Sequence, residues 1–294
     1  MTVPPYQQQE MAERVYCSEA NVSEPMCGTA NVVDVWLLLV YRPGWGAKAL
    51  PESDLAGATQ DWIETSIDLF TQRGLRVRTQ LIRQPELQGD DVRLLIGYGA
   101  RLLEFRGRGY DFLQSLDLSG VVDGDLPNGS EILQGPRYFV CTNGQRDLCC
   151  ARFGLPVYTS LRERVGDRAW QVSHLGGHRF APNVLVLPQG VLYGRVHLDA
   201  LVEFTDRVES GALSFPHVRG RSVYPTHVQA AEALSGLAGL SLLHVAGDES
   251  AATVTFATKD ASVTIAVARS SEPLDVLKNC GSEAADQMFP YRAC

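Results

Sequence analysis

No stretch of this sequence is apolar for long enough to cross a bilayer. The most apolar run, VVDVWLLLVY (Val32–Tyr41), is interrupted by Asp34 and falls well short of the roughly 20 residues that a spanning helix needs. The amino-terminal MTVPPYQQQEMAERVYC has no basic start followed by an apolar core, so it does not read as a secretory signal. Positive charge is also in short supply. A net charge of −8 and a pI near 5.3 argue against nucleic acid as a partner, which would want a basic face. The expectation is a cytoplasmic protein with neither a membrane nor a nucleic acid among its partners.

Several chemical signatures are missing as well. There is no CxxC at a helix start, which counts against a thiol oxidoreductase. GYGARLLEFRGRG is glycine-rich but reads as a hairpin, not as a GxGxxG opening a helix. Without a flavin or nicotinamide fingerprint, the chain is not expected to reduce itself from NAD(P)H. No carboxylate pair has the context of a glycosidase site.

What is present is ample apolar material, 45% of 294 residues, enough for two or three domains with cores of their own. The seven cysteines are odd in number, which argues against complete pairing. In a cytoplasmic chain they are expected as thiols or metal ligands. Hydrophobic periodicity then gives an order of elements. A buried strand over Val32–Tyr41, a helix from Leu55 to Gln72 and a strand Leu75–Ile82 come first. A hairpin of Val92–Gly99 with Arg101–Gly107 and a short helix Tyr110–Leu116 follow, giving βαβββα. The next segment repeats that order. It has a strand from Arg137 running into a loop, a helix Cys150–Val165 with a possible interruption at Pro156, and a strand Ala169–Leu175. Two strands joined by Pro-Gln-Gly within Asn183–Val196 and a helix His197–Val208 complete it. The fold class expected is α/β, with two thioredoxin-like domains in tandem, residues 1–133 and 134–212. A small α+β segment, 213–294, follows, with one helix and a three-strand meander.

The chemistry concentrates in the second unit. In SHLGGH, His174 and His178 are four apart, but Gly176 and Gly177 would each cost a helix roughly 1 kcal/mol. The spacing therefore predicts a tight loop, in which glycine admits positive φ. Cys141 ends a strand, Cys150 lies near a helix start, and the two histidines follow the next strand. Two thiolates and two imidazoles suit zinc or an iron–sulfur cluster with mixed ligands. The gap of eight residues between the cysteines is too long for a finger knuckle, and the separation of the Cys pair from the His pair is not that of a Rieske site.

CTNGQRDLCC followed by HLGGHRFAPNVLVLPQGVLYGRV resembles the sucrase/ferredoxin-like family, with its Cys, eight residues, Cys, then H-x-G-G-H. The resemblance is strong over residues 137–208 and weaker over CGTANVVDVWLLLVYRPGWGAKAL. It implies a thioredoxin-like ferredoxin domain binding a [2Fe-2S] cluster through Cys141, Cys150, His174 and His178, beside an amino-terminal copy that has lost its ligands. It also implies an electron-transfer protein, served by a separate reductase and delivering to an unidentified acceptor. Imidazole in place of thiolate lowers the negative charge of such a cluster. That sets the potential above the roughly −400 mV of a plant-type centre, and a ligand imidazole can couple reduction to proton uptake. Arg146 and Arg179, if turned inward, would add to this effect, and Pro182 stands where thioredoxin-like folds often place a cis-proline. The alternatives are a structural zinc site in an interaction module, a thiol oxidoreductase using Cys149 and Cys150 or Cys141, and a ferric-chelate reductase. Cys17 and Cys27 offer a pair of ligands or a redox pair, but with nothing nearby to complete a site they read, like Cys280 and Cys294, as small buried residues or free thiols.

Overall fold

The computed structural model describes residues 15–87, 89–282 and 284–294. The first fourteen residues of the expected amino-terminal domain lie outside the described residues.

The first unit begins with a single helical turn, α1 (Cys17–Ala20). The apolar run then forms β1 (Val35–Val40), buried at every position, as a strand covered on both faces must be. Helix α2 (Gly57–Thr71) buries Thr59, Ile63, Ser66 and Phe70, a stripe at helical spacing. It closes where the Leu75 N–H reaches back to the Phe70 carbonyl across Gly74, whose φ is +77°. Strands β2 (Val77–Arg83), β3 (Asp91–Tyr98), β4 (Arg101–Arg108) and β5 (Ser130–Ile132) follow. The expected helix at 110–116 is only a 3₁₀ segment, Asp111–Ser115.

The second unit comprises β6 (Arg137–Cys141), α3 (Leu148–Val165), β7 (Ala169–Val172), β8 (Val184–Leu187), β9 (Val191–Tyr193) and α4 (Leu201–Glu209). Helix α3 starts two residues earlier than its sequence suggests and is not interrupted at Pro156. Pro156 and Arg152 are both exposed, so the Arg152 carbonyl that loses its donor faces water, where the loss is cheapest.

The pairing makes the repeat explicit. In the first unit β1 lies parallel to β2 and antiparallel to β3, which pairs with β4. In the second, β6 lies parallel to β7 and antiparallel to β8, which pairs with β9. This is the strand order expected of a thioredoxin-like unit, found twice. The edges β2 and β7 join antiparallel through Ile82↔Val172 and Arg83↔Gln171. With β10 (Val218–Arg221) added beside β9, one mixed ten-stranded sheet results.

That sheet curls on itself. Trp36, Leu38 and Val40 from β1 share one core with Phe139 and Cys141 from β6, Trp170 from β7 and Leu185 and Leu187 from β8. The alternate residues of the same strands face outward, β1 onto the α2 core and β6 onto the α3 and α4 core. The two helix-free faces are therefore packed against each other. Leu187 comes so close to Gly97 of β3 that a Cβ there would lie 2.9 Å from its Cδ1.

The remaining chain forms α5 (Thr226–Ser235), packed on a second sheet of β11 (Ser241–Gly247), β12 (Ala251–Ala257), β13 (Ser262–Arg269) and β16 (Tyr291–Ala293). The expected meander is there, with β16 as an additional strand. A two-stranded hairpin of β14 (Leu274–Val276) and β15 (Asp286–Met288) lies between them in sequence. No helix among the described residues is long and apolar enough to cross a membrane.

Candidate metal centre

The carboxyl ends of β6 and β7 and the start of α3 meet at one place, as they must when two parallel strands flank the connection through α3. Cys141 is the last residue of β6, and Cys150 is the third residue of α3. His174 follows β7 by two residues. Gly154, one turn further along α3, allows the helix to lie directly on the strand end. A Cβ at Gly154 would sit 2.1 Å from the Cys141 carbonyl oxygen.

The sulfurs of Cys141 and Cys150 and a ring nitrogen of His174 all lie within 4.8 Å of one another. His174 Nδ1 is 3.8 Å from the Cys141 sulfur and 3.9 Å from that of Cys150. Both thiols are buried. The Cys150 thiol donates to Cys141, and His174 adds to this; together they hold Cys141 well below the ordinary thiol range despite its burial. Retaining that proton, in a buried place, pushes Cys150 well above it. The pair is thus poised to receive a cation.

The HLGGH segment is a loop, as its glycines require: Gly176 has φ +85° and Gly177 φ +69°. It ends in a 3₁₀ segment, His178–Phe180. The His178 ring stands 5.6 Å from that of His174, edge to face, and does not join the three close donors. Its Nδ1 lies 3.4 Å from Asp147 Oδ2 but is not aligned for a hydrogen bond, so it is a buried polar atom without a partner. Burial lowers the pKa of His178, which favours the neutral imidazole that a metal requires.

The loop is held largely from the first unit. Gln80 Oε1 accepts from the His174 backbone N–H at 3.0 Å and from the Ser173 hydroxyl at 2.7 Å. Arg78 donates to the His174 carbonyl and Asn31 to that of Leu175. Arg219 of β10, 1% exposed, donates to the Gly176 carbonyl at 2.8 Å, to Asn183 Oδ1 at 2.9 Å and to the Thr29 carbonyl at 2.7 Å. Burial lowers its pKa to about 9, with Arg179 and Arg78 adding to the effect and Cys141 opposing it. The cations near the site are thus the buried Arg219 and the half-buried Arg78. Arg146 is exposed, and Arg179 pairs with the buried Glu24 at 2.7 Å. The Ala181–Pro182 peptide is cis, and so is Leu187–Pro188.

A second group stands on the other side of the α3 start. Cys149, the second residue of the helix, points away from Cys150 because successive helical residues turn by about 100°. It meets Cys17 of α1 and Cys280, which follows β14. The sulfur–sulfur distances are 3.6 Å for Cys17–Cys149, 3.1 Å for Cys149–Cys280 and 3.8 Å for Cys17–Cys280. Asp147, the helix N-cap, completes the group. Nothing local in the sequence marks it, because its three cysteines are more than a hundred residues apart. The doubled cysteine of CTNGQRDLCC is the one signal that could have pointed to it.

No similar protein is found among curated proteins or among solved structures. The model of one family, described as sucrase/ferredoxin-like, matches residues 26–220. That span begins before β1, ends in β10 and contains the strand ends, the helix start and the glycine loop just described. The chain therefore belongs to the sucrase/ferredoxin-like family.

Proposed function

We propose that this chain is an electron-transfer protein that holds one [2Fe-2S] cluster through Cys141, Cys150, His174 and His178. The observation that carries the reading is the donor set itself. Two buried thiols and an imidazole lie within 4.8 Å of one another, and beside them is a buried imidazole whose Nδ1 has no hydrogen-bond partner. Soft thiolates with neutral imidazoles are the ligands that a mixed-ligand cluster takes. Bound there, such a cluster supplies one-electron transfer.

The chain's own residues do the rest. Asp147 Oδ2 lies 3.4 Å from His178 Nδ1 without bonding to it, and a carboxylate behind a histidine ligand helps to fix its ring. Arg219 and Arg78 put positive charge next to an anionic centre and fix the backbone of its loop. The curled sheet keeps Cys141 and Cys150 away from water, at 1% and 0% exposed. A separate reductase supplies the electrons and another protein or small oxidant accepts them.

Anaerobically purified protein should contain two irons and two sulfides per chain, with a visible absorption band that dithionite bleaches and an EPR signal in the reduced state. His174→Cys and His178→Cys should each shift that spectrum and lower the potential. A chain that takes up no iron or sulfide under reconstitution overturns the reading and leaves a structural metal module in its place.

A further inference from the structure

We infer that Cys17, Cys149, Cys280 and Asp147 form a second metal site, a tetrahedral thiolate-rich site for zinc. It staples α1 and the loop after β14 to the start of α3. The inference stands independently of the cluster, since it uses none of the same ligand residues.

The distances fit one ion. Zinc binds thiolate at about 2.3 Å and carboxylate at about 2.0–2.2 Å, so a tetrahedron requires sulfur–sulfur separations of about 3.8 Å and sulfur–oxygen separations of about 3.5 Å. Two sulfur pairs stand at 3.6 and 3.8 Å, as one ion requires, and the third, Cys149–Cys280 at 3.1 Å, has to open by about 0.7 Å to receive it. Asp147 Oδ1 is 3.1 Å from the Cys280 sulfur and 3.8 Å from that of Cys17. Sulfurs bound to different irons of a cluster would stand further apart than these do. A disulfide between any two, with sulfurs about 2.05 Å apart, would leave the third thiol and the carboxylate unused.

The surroundings suit an anionic centre. The N-terminus of α3, eighteen residues long, directs its positive end at Cys149. The Ser18 hydroxyl donates to the Cys149 sulfur at 3.3 Å. Asp147 is oriented by the backbone N–H groups of Cys149 and Cys280, each at 2.9 Å. The two distant segments are also brought together without the metal. The Asn21 side chain donates to the Leu277 carbonyl at 2.8 Å and accepts from the Leu277 N–H at 3.1 Å. Cys17 is therefore presented to Cys280 by a contact of its own.

The test is made on the full chain. Protein purified anaerobically should carry one zinc per chain in addition to its iron. Cobalt(II) should replace it, with thiolate-to-metal charge transfer and the intense visible bands of a tetrahedral site. Cys280→Ser and Cys17→Ser should weaken zinc binding at least about tenfold, whereas Cys141→Ser and His174→Ala should retain it. Since either thiol variant could misfold, the unmodified chain supplies a second measurement. A strong chelator should raise the alkylation rates of Cys17, Cys149 and Cys280 together, and leave those of Cys27 and Cys294 unchanged. Absence of bound zinc and cobalt overturns the inference. So does zinc that Cys280→Ser retains, alkylation that the chelator does not alter, or a Cys149–Cys280 disulfide in the anaerobic protein. Loss of iron from Cys141→Ser with zinc retained separates this site from the cluster.

Discussion

At the scale of single residues, the charges of this chain are placed more tellingly than they are counted. Arg219 is buried without an acidic partner and satisfied by carbonyls and an amide. Only a guanidinium, with its fork of five donors, can serve so many acceptors at once. A more ordinary ion pair allows a clean measurement. Asp34, just ahead of β1, takes two bonds from the Arg76 guanidinium at 2.7 Å and one from the Arg76 N–H at 2.8 Å. Burial alone would push its pKa up; the bonds from Arg76 outweigh it, and the net direction is down from 3.8. The carboxylate therefore stabilises the fold above the unfolded value, and that contribution disappears as pH falls through the lowered one. Asp34→Asn should cost roughly 1 kcal/mol at pH 7, a modest figure because Arg76 is half exposed. In urea titrations the difference should shrink as pH falls below about 4. A difference that does not change with pH would show that the pair contributes nothing through its charge.

At the scale of elements, helix α3 determines the site. Gly154→Ala brings two opposing effects. Alanine should gain about 1 kcal/mol of helix propensity. Its Cβ, however, would meet the Cys141 carbonyl at 2.1 Å, and backbone cannot swing aside as a side-chain end can. Overpacking of this kind costs about 1–3 kcal/mol or more, so the variant should be destabilised in thermal unfolding. Because the strand end must move, the visible spectrum of the proposed cluster should shift as well, and an unaltered Tm and spectrum would refute the argument. The same helix shows where the sequence was legible and where it was not. Periodicity located α3, and the glycines identified the HLGGH loop. Pro156, where the sequence allows an interruption, lies on the solvent side and the helix runs through it. The assignment of Cys149 to a different thiol group from Cys150 depends on 100° of helical rotation and on Cys17 and Cys280, far away in sequence, which no local pattern contains. The span from Cys141 to Cys150 is correspondingly fixed in length. One residue inserted after Asp147 would rotate both cysteines off their partners together.

At the scale of the whole molecule, the repeat was readable from the order of strands and helices, but the way the two units meet was not. Sequence alternation tells which residues share a face, not that two such faces from different units close on each other. The closure rests on close approaches such as that of Leu187 to Gly97. Gly97→Val should therefore push β3 and β8 apart and cost about 1–3 kcal/mol, measured by denaturant unfolding. A neutral effect would mean that Leu187 can move aside within the core. The meeting of the units also explains why Gln80, Arg78 and Asn31 matter to a site whose candidate ligands all lie beyond residue 140. The copy without candidate ligands supplies the clamp for the copy that carries them. A graft of the second unit into a foreign scaffold would carry the thiols and imidazoles but leave their holder behind, so what is transplantable, and heritable as a working piece, is the pair.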